Sequence, residues 1–168
     1  MSNDPALAAA VPTDQELVDF VLREARMLDQ QRYVDWLTLF AEDGHYWMPL
    51  EPGQQDHRLT CSLMYEDKLL LRVRVERLKG ERTFSQLPRS RSHHVLQAPH
   101  VESRDEAANS YVTWTSMHYV ETRMDEQKLY AAWATHHLTV HDRKLRIRLK
   151  RVDLVNCDAP LDGITIPF

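Results

Sequence analysis

The sequence predicts an α+β fold on three observations. A capped amphipathic helix stands near the start, helical spacing persists to about residue 80, and period-two alternation rich in β-branched and aromatic residues follows. The 168 residues amount to one domain at about 150 residues per domain. A hydrophobic share of 43% is enough for a core, and a net charge of −4 excludes nucleic-acid binding driven by overall charge. Two cysteines, Cys61 and Cys157, cannot build a disulfide framework or a four-thiolate metal site. The N-terminus lacks a basic n-region and no apolar run approaches about 20 residues, so the expectation is a cytoplasmic chain without a membrane span.

Residues 1–12 are Ala-rich and without period, the pattern of a flexible arm ahead of a single domain over 13–168. Thr13-Asp-Gln-Glu16 is a capping box, and Leu17, Val21 and Leu28, with Val18 and Ala25, line one side of the helix behind it. Trp36, Leu37 and Phe40 predict a second helix from Val34 to Phe40, ending before Gly44. His45-Tyr-Trp-Met-Pro49 reads as a short strand. A third helix is expected from about Met64 to Leu78, with Leu71, Val75 and Leu78 on one face and Lys79-Gly80 as its basic last turn and C′ glycine. Gly44, Gly53, Gly80 and Gly163 all read as punctuation between segments.

Four strands are expected after residue 80: His93 to Glu102, Tyr111 to Val120, Leu129 to His141 and Leu145 to Val155. The polar links Arg123–Gln127 and His141–Lys144 make hairpins of the last three. A sheet this long curls around about three helices, leaving a cone with a pocket. The last strand interleaves Arg143, Lys144, Arg146, Arg148, Lys150 and Arg151 with Leu145, Ile147 and Leu149. That pattern predicts one buried face and one basic face, paired to carboxylates such as Glu121 and Glu126 or turned to a partner.

Metal chemistry finds little support. The pairs His93-His94 and His136-His137 lie in expected strands, where neighbours face opposite sides and cannot readily chelate one ion. Cys61-Ser-Leu and Cys157-Asp-Ala lack the Cys-x-His and Cys-x-x-His arrangements of a Rieske centre. Phosphate-binding glycine loops, Gly-x-Ser-x-Gly and His-Glu-x-x-His are absent. Acid–base work in a cone needs no linear motif; Asp35 or Asp43 with His94 or Tyr119 are the candidates. The apolar end, Leu161 to Phe168, is expected to pack against its own subunit or a neighbour.

Several segments together resemble the β (small) subunit of aromatic-ring-hydroxylating dioxygenases, within the nuclear-transport-factor-2-like cone folds. They are Trp36 to Pro49, Tyr65-Glu-Asp-Lys68 with Leu71-Arg-Val-Arg74 and Arg77-Leu78, Pro88-Arg-Ser-Arg91 with His94, and Lys150 to Asp158 with the apolar end. Leu154 to Pro160 looks most like the benzoate, toluate and anthranilate branch. His93-His94 stands where the family usually has Arg-His, and Ala98 near its Asn.

The resemblance implies an α+β cone with a long curved antiparallel or mixed sheet wrapped around about three N-terminal helices. It implies a mainly structural chain in an α3β3 complex whose β subunits form a trimer. The Rieske cluster and mononuclear iron would lie in the α subunit, and a reductase would deliver electrons from NADH. Trp36, Trp47, Arg91, His94, Arg148, Arg151, Asp158 and Phe168 are then expected at subunit interfaces, with no catalytic, cofactor or metal residue in this chain. Two alternatives remain: a free-standing isomerase or dehydratase using the Asp/His candidates, and a binding protein for a hydrophobic ligand. A raised carboxyl pKa in a closed apolar cavity would mark the former, and a cone filled by side chains would exclude it.

Overall fold

The structure, a computed structural model, describes residues 11–79, 89–161 and 167–168. The expected C′ glycine Gly80, Gly163 and most of the N-terminal arm lie outside them. Helix α1 (Asp14–Asp29) starts at the capping box, with Glu16 N–H donating to Thr13 Oγ1 and Thr13 N–H donating back to Glu16. Its inward stripe is Leu17, Phe20, Val21, Glu24, Ala25 and Leu28. Helix α2 (Tyr33–Leu37) is shorter than expected, because Phe40 already opens strand β1 (Phe40–Pro49).

Gly44 sits inside β1, not between elements. A Cβ there would stand 2.6 Å from the Ile147 carbonyl oxygen and 2.9 Å from that of Ala41, so the close approach of two backbones requires glycine. Strand β2 (Ser62–Asp67) replaces the first turn of the expected third helix and pairs antiparallel with β1, Tyr65 opposite Trp47. Asp67 ends that strand and caps helix α3 (Lys68–Lys79), its Oδ1 accepting from Leu70 N–H at 2.8 Å. The expected strand at residues 93–102 is two: β3 (Arg91–Leu96) and β4 (His100–Asp105), both antiparallel to β5 (Ser110–Arg123). Strands β6 (Glu126–His141) and β7 (Lys144–Leu154) complete the meander, with hairpins at the two expected links.

The sheet runs β2-β1-β7-β6-β5-β3, with β4 also on β5. It is mixed because β1 lies parallel to β7. Helices α1 and α3 pack on it, with α2 between them, around the predicted cone-like core. One irregularity decides what faces that core. Ile147 lies opposite Leu138 but Leu149 lies opposite His137, so Arg148 is an extra residue in β7. The alternation flips there. Ile147 points inward before the bulge and Lys150 after it, which corrects the expected all-basic outer face. Its charges meet Asp43, Glu24 and Asp153, in place of the expected Glu121 and Glu126.

Candidate functional site

Helix α1 carries two carboxylate–histidine pairs, one fully buried and one with a partly exposed carboxylate. The first centres on Glu24, which is on the inward stripe and fully enclosed. It accepts from Lys150 Nζ at 2.6 Å, Trp36 Nε1 at 2.7 Å and His136 Nε2 at 3.2 Å. Burial alone would push its carboxyl up, but the Lys150 ammonium and His136 outweigh that and hold it well below the usual range. Burial pulls both His136 and Lys150 down, more than the carboxylate raises them. Because an ionised carboxylate only accepts, His136 donates from Nε2, and its Nδ1 has no partner among the described residues.

The second pair sits at the end of the same helix. Asp29 accepts from the His94 backbone N–H at 3.0 Å and from His94 Nδ1 at 2.6 Å. The His94 ring lies 5.0 Å from that of Tyr119, and both His94 Nε2 and the Tyr119 hydroxyl are buried without a partner among the described residues. Burial, then the nearby Glu121 carboxylate, raise the Tyr119 phenol; the same two causes push Tyr33 up to about 12. Phe168 fills the space beyond. Its ring is 4.0 Å from Tyr119 and 5.2 Å from Tyr130, and its N–H donates to Tyr46 Oη at 3.1 Å.

The opposite face of the sheet is different in kind. Arg151 lies over the Trp47 ring at 4.4 Å and is held by two 2.7 Å bonds to Asp153. His57, Tyr65 and His45 stack beside it, at 3.8 and 5.1 Å. Further along, Leu129 and Trp133 leave 64% and 41% of their surfaces exposed, with Val95 near them on β3. Leu69, Leu70 and Val73 of α3 are also exposed.

Comparison with known proteins decides the family: the model of ring-hydroxylating β subunits matches residues 23–159. The chain belongs to this family. Among relatives of this β subunit, the small subunit of 2-halobenzoate 1,2-dioxygenase from Burkholderia cepacia is 29% identical, covering 84% of the chain and 87% of that protein. The small oxygenase component of the p-cumate 2,3-dioxygenase system of Pseudomonas putida is 33% identical, covering 85% and 79%. The crystal structure of the benzoate 1,2-dioxygenase β subunit from Burkholderia mallei superposes with a TM-score of 0.74 at 25% identity, covering 94% of this chain and 99% of that one. The nuclear-transport-factor-2-like α+β class holds, with the strand order described above.

Within the β subunit, the expected interface residues separate into two groups. Trp36, His94 and Phe168 are enclosed by their own chain, and Trp47 is nearly so. Arg91, Arg148 and Asp158 are exposed, and Arg151 is partly covered. The expected acid–base partners do not converge. Asp35 is exposed and bonded to Arg32, Asp43 to Arg148, and the carboxylate that meets His94 is Asp29. A signal for Asp29 existed, since an acid in a helix's last turn opposes the dipole and asks for a partner. Glu24 was equally visible, seven residues after Leu17 on the apolar stripe. Lys150 was hidden by the bulge.

Among the described residues no group of three or more His, Cys, Asp or Glu could hold a metal ion. Cys61 is exposed and Cys157 buried. No described helix is long and apolar enough to cross a membrane.

Proposed function

We propose that this chain is the small subunit of the terminal oxygenase of an aromatic-ring-hydroxylating dioxygenase and that its role is assembly, not catalysis. The observation that carries the reading is the family match over residues 23–159. In this reading three copies form a trimeric base for three α subunits in the cytoplasm. The α subunits hold the Rieske cluster and the iron, and a reductase, directly or through a ferredoxin, supplies NADH-derived electrons. The substrate is an aromatic carboxylate, converted with O2 to a cis-dihydrodiol; the relatives named for halobenzoate, toluate, cumate and benzoate support that class. The rings that fill the cone, with Glu24 held low instead of raised, weigh against a free-standing isomerase or dehydratase.

The test is co-purification of the tagged chain from its native host. Recovery with a larger partner showing Rieske absorbance supports the proposal, whereas recovery alone and iron-free overturns it. Within such a complex, Arg148→Glu with Arg151→Glu should break the trimer while circular dichroism stays native. A double variant that remains trimeric would remove this part of β7 from the interface.

A further inference from the structure

We infer that the groove between the start of β7 and the helices is a docking surface for an acidic segment of another protein. The cations of the last strand divide in two. Arg148, Lys150 and Arg151 meet carboxylates, whereas Arg143, Lys144 and Arg146 meet none among the described residues. Arg146 donates to the Leu145 carbonyl at 3.3 Å. These three line a cleft of about 690 Å³ against α1. A second cleft, of about 860 Å³ against α2 and α3, places Arg72 on the other side of Arg146. Thr38, Val140 and Arg146 wall both clefts, which makes them one groove with Arg146 at its middle.

The carboxylates of the groove are already engaged. Glu42 holds Lys68 at 2.6 Å, Asp43 holds Arg148 at 3.3 Å and Asp142 lies 3.1 Å from His141. Glu16 closes the capping box, and Asp19 accepts from Gln15 at 2.7 Å. Asp142 and Arg143 have positive φ, 49° and 59°, the tight hairpin turn whose twist matches its strands, so the backbone fixes where Arg143 and Lys144 are presented. Between the charges the walls are apolar. Leu37, Val140 and Leu145 pack on the core and border the groove, and Val34 leaves 49% of its surface exposed.

Spare cations along an apolar wall fit a chain that carries carboxylates beside apolar side chains. A nucleic acid fits worse, because the carboxylates of the same groove oppose a continuous phosphate backbone. A small organic anion would occupy one cleft and leave the cations of the other unused. The surface goes beyond the assembly role and does not depend on it.

The test uses the full chain and a fluorescent twelve-residue peptide of Glu-Glu-Leu repeats, followed by anisotropy. The peptide should bind, weaken as salt rises, and bind about tenfold tighter than its Lys-Lys-Leu or Glu-Glu-Ser counterpart. Lys144→Glu with Arg146→Glu should weaken it about tenfold or more. Arg58→Glu with Arg91→Glu changes net charge equally outside the groove and should have little effect. Absence of binding, equal losses in the two double variants, or displacement by benzoate at matched concentration each overturns the assignment. Should the first double variant lose its native circular dichroism, Lys144→Gln with Arg146→Gln takes the same titrations and should weaken binding in the same direction.

Discussion

Glu24 and Asp29 stand five residues apart on one helix, each bonded to a strand histidine, yet the two pairs behave as opposites. Glu24 is saturated: an ammonium, an indole N–H and an imidazole N–H converge on two oxygens. Asp29 is bonded to one histidine twice and lightly to Ser92, and the partner ring passes on an unused nitrogen beside an unused hydroxyl. The first pair locks α1 to α2, β6 and β7. The second fastens the end of α1 to β3 and leaves polar capacity facing the aromatic core. A carboxylate–histidine contact is therefore not one kind of object. What decides its role is whether the remaining lone pairs and protons are used.

The largest expected effect separates the pairs by charge. Lys150→Met leaves Glu24 buried with no cation and should cost about 3–5 kcal/mol in urea unfolding. Adding Glu24→Gln should restore most of the loss, because Gln still accepts from Trp36 Nε1–H and the buried charge is gone. Asp29 is partly exposed, so Asp29→Asn should cost less, about 1–3 kcal/mol. If the two single substitutions cost the same, the contrast between a saturated and an open pair fails.

Acid sharpens the same contrast. His136 has its pKa lowered by burial, so below about 6.5 the unfolded chain binds a proton that the folded chain resists. The contribution is complete above that pH and is lost as pH falls, with a slope of up to about 1.4 kcal/mol per pH unit for one such histidine. His137, lowered first by burial and then by His136, acts in the same direction, and Glu24 follows at lower pH. Unfolding midpoints should therefore drop between pH 7.5 and 5.5, and His136→Gln should flatten part of that drop. Stability that rises on acidification would contradict the arrangement around Glu24.

Much of this was legible from the sequence. The capping box at Thr13, the long strands and both hairpin links depend on local spacing, and all are present. Met64 to Asp67 was misassigned because a half-turn of apolar spacing cannot distinguish a short edge strand from the start of a helix. Only the pairing with Trp47 and Met48 decides it. The inward turn of Lys150 was illegible for a sharper reason, since one extra residue at Arg148 reverses the face of everything after it. Asp29 as the partner of His94 depends on contact across 65 positions of sequence, which spacing does not report.

The smallest expected effect is also the most discriminating. Tyr119→Phe removes a buried hydroxyl that has no partner, so nothing is lost from a hydrogen bond and a desolvation cost disappears. Stability should stay within about 0.5 kcal/mol of the parent or rise slightly. Trp36→Phe is the matched control in the other pair. It removes the 2.7 Å bond to a buried carboxylate and should cost about 1.5–3 kcal/mol by chemical denaturation. Similar losses in the two variants would mean that the Tyr119 hydroxyl is engaged in solution, for instance by an ordered water, and that the open pair is in fact closed.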